Sequence, residues 1–251
     1  MIQVVHRACD ILEALAGQPE APQPLGAIAD GLGLNHATCA NILKTLVNRG
    51  YVEQVAPKQG YLLGPMAYFL AGRGAYRRGL VAAAEPVVGA LARELGEPVL
   101  LVMVRGGRRY ILCHAEGSEG VEVSRRVLFD ENVWRTPTGR LLMAWCDDEE
   151  RARFIREHGL PGEDWREARS EQDLNRLLEG IRKADRLVLE VAGDVRAVAY
   201  AVRDNGRVIA AVGTYLPSFR FRGAHRRAVL QGVERASRAI SDAITTGPRD
   251  A

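Results

Sequence analysis

Residues 35–49 gather the side chains whose chemistry is most legible in this chain: Asn35, His36, Thr38, Asn41, Lys44, Thr45, Asn48 and Arg49. Between them Cys39, Ile42, Leu43, Leu46 and Val47 recur at helical spacing, which puts one apolar stripe on a helix and the hydrogen-bonding groups on its other side. The Asn41 amide suits a bidentate pair with adenine, and Lys44 and Arg49 suit phosphate or guanine. This is the chemistry of reading a DNA major groove, provided that the helix is held rigidly. Without that support the same residues are the ordinary solvated face of a small helical subdomain.

The elements on either side supply the support. Ile28, Ala29 and Leu32 mark a short preceding helix, Gly33-Leu34 a tight turn, and Asn35 the N-cap of the reading helix. Apolar strand patterns follow on both sides of Ala56-Pro57-Lys58-Gln59-Gly60, a hairpin tip that offers Lys58 to phosphate. A further amphipathic helix covers 3–16, with Val4, Ala8, Ile11, Leu12 and Leu15 on one side. Together these predict a winged helix-turn-helix over residues 1–64.

Composition bounds the remainder. The chain has 251 residues, 47% of them hydrophobic, enough for two ordinary cores. No apolar run reaches the roughly 18–20 residues of a membrane span. Asp10 and Glu13 interrupt the N-terminal apolar pattern, which reads as a helix and not as a secretory leader. Cys9, Cys39, Cys113 and Cys146 lack any CxxC pairing and fall in apolar patterns, so they are expected to be reduced, buried thiols of a cytoplasmic protein. His36, His114 and His158 have no metal-ligand spacing with them. Net charge is only +3, and residues 1–70 hold four basic against five acidic side chains, or −1. Phosphate contacts usually supply much of DNA affinity. A single head should therefore bind weakly, helped by Arg73, Arg77 and Arg78 beyond the wing and by doubling of contacts in an oligomer.

A linker helix is expected over 65–79, its Met66, Tyr68, Phe69 and Tyr76 divided between core and dimer seam. Residues 80–251 read as a second domain. It opens with an apolar helix over 80–96 that Pro86 kinks or restarts. Strands over 98–105 and 108–115 flank Gly106-Gly107, and 121–127 reads as a further strand. Helices are expected over 138–145, 147–158 and 173–184, strands over 186–191, 195–203 and 207–216, and a closing helix over 223–245. That order predicts an α+β domain, an antiparallel sheet flanked by helices.

The chain resembles the isocitrate-lyase-regulator (IclR) family of bacterial transcription factors. The resemblance rests on RACDILEALA, LGAIADGLGLNHATCANILKTLVNRGYV, YLLG, AAAEPVVGALARELGEPVLL, TGRLLMAW and AVAYAVRDNGRVIAAVGTY, in that order and spacing. It implies a winged helix joined by a linker helix to a GAF/PAS-like effector domain, assembly as a homodimer or homotetramer, and control of a catabolic or efflux operon by a small molecule. Partners are then double-stranded operator DNA, the effector and the chain itself, with no cofactor. Departures stand beside it. Asn41 and Leu62 occupy positions where the family commonly has arginine. Ala197, Gly213 and Tyr215 replace small polar residues that line the family's pocket on its last two strands.

Before the pocket helix stands Trp134-Arg135-Thr136-Pro137-Thr138. Pro137 suits the first helical turn and Thr136 its cap. The amides around Thr138 and Gly139 then form an anion site, with Arg135 as a bidentate partner and Trp134 as a flat wall. Tyr200 and Thr214 on the late strands are expected to complete it, and the ligand expected is a carboxylate, aromatic ones included. Alternatively Trp134 fills a shrunken pocket, Arg135 is a solvated charge, and the domain serves only oligomerisation or protein contacts. Enzyme signatures are missing. Gly117-Ser118-Glu119-Gly120 lacks nucleophile-elbow spacing, Cys113 and His114 alternate across a strand, and Asp147–Glu150 reads as an acidic first turn.

Truncation after Gly79 should leave a folded head whose operator affinity, in a shift assay, falls well below that of the full chain. Undiminished affinity would show that oligomer contacts do not compensate for the poor charge.

Overall fold

The computed structural model describes residues 2–19, 21–56, 59–73, 78–117, 129–130, 133–191 and 194–246. The chain divides into a head of residues 1–76 and a second unit that follows it from residue 77.

The head carries α1 (Gln3–Ala16), α2 (Leu25–Gly31), α3 (His36–Asn48), β1 (Val52–Ala56), β2 (Gly60–Leu63) and α4 (Pro65–Arg73). Its core is the apolar stripe read from the sequence: Ile11, Leu15, Ile28, Ala29, Cys39, Ile42, Leu43 and Leu46, closed by Val52. Two turns of one kind set the geometry. At the end of α2, Gly33 takes φ +62° while its amide reaches the Asp30 carbonyl and that of Leu34 reaches Ala29. At the end of α3, Gly50 takes φ +73°, its amide bonding Val47 and that of Tyr51 bonding Leu46. Both are Schellman closures, in which glycine enters the left-handed region at no steric cost. The first turns the chain into α3, the second turns it out into the wing. β1 and β2 pair antiparallel, and Tyr61 also bridges Gln23, so the wing is tied to the loop before α2.

The second unit is a six-stranded antiparallel sheet. Its strands are β3 (Val99–Arg105), β4 (Arg108–Ala115), β5 (Phe129–Asp130), β6 (Arg186–Val191), β7 (Val195–Asp204) and β8 (Arg207–Pro217), in the order β5-β4-β3-β8-β7-β6. α5 (Arg78–Leu95) and α9 (Gly223–Thr246) cover one face, where Leu80, Val88, Leu91, Val198, Val212, Val233 and Ile240 meet. α6 (Pro137–Trp145), α7 (Asp148–His158) and α8 (Glu171–Ala184) supply the other, with Leu100, Val102, Ala199, Ala201 and Ala211 beneath Leu141, Leu142, Leu174 and Leu178. Helices on both faces explain why the middle of β3, β7 and β8 is buried almost without alternation. Pro86 does not restart the helix: α5 is continuous through it. The expected strand at 121–127 and residues 74–77 lie outside the described residues. Among the described residues no helix is long and apolar enough to cross a membrane.

Among the described residues one carboxyl side chain is fully buried. Glu97, at 0% exposure, accepts Arg220 Nε at 2.8 Å and faces His225 Nε2 at 3.0 Å, which joins the start of β3 to the segment leading into α9. Removing one partner of such a group costs more than the pair contributes.

The thiols differ from expectation at one position. Cys39 is buried and Cys113 and Cys146 are partly buried, but Cys9 is exposed on α1. The apolar stripe of α1 runs through Ile11 and Leu15, and Cys9 falls beside it. Burial pushes the Cys113 and Cys146 thiols up to about 11, so both stay protonated at neutral pH. Titration of the native protein at pH 7.5 with a thiol reagent should therefore give one fast-reacting cysteine, lost in Cys9→Ser, and three that react only on unfolding. More than one fast thiol would contradict the burial.

Candidate nucleic-acid interface and effector site

On α3 the exposed positions are those the spacing predicted. Asn41, Lys44, Thr45, Asn48 and the C-cap Arg49 are exposed, and Thr38 is half-buried. They form a stripe along a helix fixed at both ends. Asn35 accepts the Ala37 amide at 2.9 Å, so its side-chain oxygen is committed to the cap. His36 is 2.9 Å from Asp30, a link from α3 back to α2. Thr45 donates to the Asn41 carbonyl at 3.0 Å, a local bond that still leaves its hydroxyl an acceptor. Asn35 and His36 thus position the helix, while Asn41, Lys44 and Asn48 present their groups to solvent. Lys58 lies outside the described residues.

The start of α6 is built as the sequence suggested, with a different set of neighbours. Thr136 caps the helix: its hydroxyl accepts the Gly139 amide at 3.1 Å, and its carbonyl accepts that of Arg140 at 3.0 Å. Pro137 has no amide, so Thr138 supplies the remaining first-turn donor. The hydroxyls of Thr136 and Thr138 lie 3.3 Å apart. The cation beside them is Arg109 from β4, only 9% exposed, whose Nε donates to the Thr136 hydroxyl at 3.3 Å. Sequence reasoning missed it, because Arg109 sits in a hairpin 27 residues away and only the sheet brings it here.

Arg135 is not at that site. Its side chain is 68% exposed and donates through Nε to Asp164 at 2.8 Å, while Glu190 pairs with Arg196. Tyr200 and Thr214 do not join it either. Strand alternation puts both on the α5/α9 face: Tyr200 belongs to that core, and Thr214 donates to the Pro98 carbonyl at 2.7 Å. Ala197, Gly213 and Tyr215 face α6 instead. The Tyr215 hydroxyl is pushed up by burial and by Glu116.

Trp134 is 4% exposed and wedged between Phe154, ring centroids 5.8 Å apart, and Trp165, at 6.0 Å. It fills space that a flat ligand would need, and its indole nitrogen is buried without a hydrogen-bond partner. Arg140, also missed from sequence, lies over the Trp165 ring at 4.2 Å and donates to the carbonyls of Trp134 and Asp164. Burial pulls its guanidinium down to about 10, against the pull of Glu167 and Asp164, so it stays charged at neutral pH. The acidic run is a helix start: the Asp147 carboxylate accepts the Glu150 amide at 2.7 Å. Among the described residues no group of three or more His, Cys, Asp and Glu is placed to hold a metal ion.

Comparison with known proteins fits this arrangement to one family. Residues 4–56 match the model described as the IclR helix-turn-helix domain, and residues 74–242 match that of the bacterial transcriptional regulator IclR C-terminal domain. The HTH-type transcriptional regulator TtgV of Pseudomonas putida is 30% identical over 148 residues, a stretch covering 59% of this chain and 56% of that protein, little more than half its length. An HTH-type transcriptional regulator of Mycobacterium tuberculosis is 27% identical over 99% of this chain and 95% of its own. Among solved structures, an IclR transcriptional regulator from Alicyclobacillus acidocaldarius shares the fold at TM-score 0.76 and 24% identity, covering 97% of this chain and 99% of that one. An IclR homologue from Microbacterium hydrocarbonoxydans, solved with 4-hydroxybenzoate, does so at TM-score 0.75 and 20% identity over 97% and 100%. With both domain models matched and the winged head and sheet domain in the order they require, the chain belongs to the IclR family of bacterial transcriptional regulators.

Proposed function

We propose that this chain binds operator DNA through α3, as a homo-oligomer, and that a small anionic molecule at the start of α6 controls it in the service of a catabolic or efflux operon. The observation that carries the DNA reading is the exposed stripe of Asn41, Lys44, Thr45 and Asn48 on a helix capped by Asn35 and closed at Gly50. Self-association of the head is supported by its surface: Ile2, Val4 and Val5 of the α1 end and Tyr68, Phe69 and Leu70 of α4 are exposed, Tyr68 to 86%. Doubling the reading helix also doubles the few phosphate contacts available to one head, whose residues 1–70 sum to −1.

The effector reading rests on Thr136, Thr138 and Arg109, donors brought together at a helix N-terminus in a buried setting. The relative from Microbacterium was solved with 4-hydroxybenzoate, a carboxylate of the class these donors suit. A second reading, a sensor domain that no longer takes a metabolite, is favoured by Trp134 in the space beside them and by Arg135 engaged with Asp164.

Binding of the purified protein to the DNA upstream of its own gene, across a salt series, tests the first reading. Lys44→Ala should weaken binding about equally on all sequences and lower the salt slope by roughly one; Asn41→Ala should cost about 1–3 kcal/mol and relax base preference at one position. Unchanged affinity in both would remove α3 from the interface. For the effector, 4-hydroxybenzoate and related carboxylates should raise the melting temperature saturably. Thr136→Val should abolish that rise while destabilising the protein by about 0.5–2 kcal/mol through the lost cap. No stabilisation by any carboxylate would favour the sensor that has lost its ligand.

A further inference from the structure

β6 ends the sheet, and among the described residues no strand lies beyond it. Such an edge presents a row of unpaired amides and carbonyls, and proteins ordinarily blunt it with proline, lysine, a bulge or an inward charge. β6 reads Arg-Leu-Val-Leu-Glu-Val, without proline, and its two charged side chains, Arg186 and Glu190, are of opposite sign. It pairs with β7 in unbroken register from Arg186↔Tyr200 to Val191↔Val195. It is also held firmly: Asp185, in the left-handed region at φ 51°, ends α8 just before the strand and pairs with Arg203 of β7 at 2.6 Å.

The sequence of the strand reads as a mirror of itself in charge. Arg186 and Glu190 stand equally far from Val188, and alternation puts all three on one face of the sheet. Both charged residues are exposed. An antiparallel copy laid against this edge about a two-fold axis at Val188 would set Arg186 opposite the second Glu190, Leu187 opposite Leu189, and Val188 opposite itself. Within one copy, Arg196 already pairs with Glu190 across β7 and β6. The two-fold pairing would place each Glu190 between two cations, a ladder of alternating charge running through the junction. Pairing in parallel, or shifted by two residues, would lose that match, and opposite charges directly across antiparallel strands are the favourable arrangement.

We propose that β6 is a docking edge for β6 of a second copy of this chain, joined antiparallel about Val188 so that the two sheets become continuous. The contact is isologous and therefore closes on itself instead of propagating. It deepens the self-association proposed above by giving the second unit its own interface. Its test uses no DNA, so failure here and failure of the operator reading are separately visible.

The experiment compares masses of the full chain by analytical ultracentrifugation over a range of concentrations. Arg186→Glu would set like charges against Glu190 of the second copy, and Glu190→Arg would do the same against Arg186. Each variant alone should sediment at half the mass of the unaltered protein, whether the latter is a dimer or, with its heads also paired, a tetramer. An equimolar mixture of the two restores both opposite-charge pairs and should return to the unaltered mass. Hydrogen exchange on the unaltered chain gives a readout independent of any substitution: outward-facing amides of 186–190 should be protected, and more so as concentration rises. Unchanged masses in the variants, a mixture that stays at half mass, or an edge whose exchange does not depend on concentration would each overturn the proposal.

Discussion

A side chain at Gly139 would put its β-carbon 2.0 Å from the Val133 carbonyl oxygen, and one at Gly213 would meet the Val198 carbonyl at 2.7 Å and the Thr138 methyl at 3.0 Å. Glycine at 139 therefore lets the Val133 turn fold onto the start of α6, and glycine at 213 leaves room for Thr138 of α6 against the sheet. Much of the second unit follows from that approach. Eight residues from Pro137 to Ala144 are buried, and the carbonyls near the end of α6 are taken up by arginines: Arg182 donates to Ala144 and Arg151 to Cys146. Cations at that end complement the helix dipole, and the Thr136 cap serves the other. The helix is fixed at both ends, and the polar groups at its start are held in place by the cap.

The same closeness limits what those groups can do. Gly213 faces α6 from β8, where the family carries a small polar residue, and here the position is spent on contact with Thr138. Trp134 and Arg140 then close one side through stacking with Trp165. The polar set beside them is two threonine hydroxyls and a buried arginine.

The head poses a complementary problem in electrostatics. Its reading face is amide- and hydroxyl-rich, with Lys44 and Arg49 as its cations, while five acidic side chains lie in the first 70 residues. Affinity for a polyanion must then come from geometry and from number, since one head offers few phosphate contacts. Rigid Schellman closures at Gly33 and Gly50 supply the geometry. Apolar residues of α1 and α4 are exposed, and among the described residues no strand lies beyond β6.

How much of this was legible in the sequence follows from how local each determinant is. Helical period, the Asn35 cap, the glycine turns and the hairpin at Gly106-Gly107 depend on neighbours a few residues apart. The head, the positions of β3, β4, β6, β7 and β8 along the chain and most helix limits could accordingly be read from the chain directly. So could the Thr136 cap and the Asp147 start of α7. Side-chain destination could not. Tyr200 and Thr214 look like pocket residues until strand register assigns them to the α5/α9 face. Arg135 looks like a ligand-binding cation until Asp164, 29 residues on, takes it, and Arg109 carries no local signal at all. Cys9 was misread because its apolar neighbours bury their own side chains and not the one beside them. The sequence by itself determined which segments are helix or strand and where they stop, because capping and periodicity act within a turn or two. Which charges meet at α6 and which face each strand residue serves were settled by tertiary structure, because those depend on sheet pairings between residues far apart in the chain.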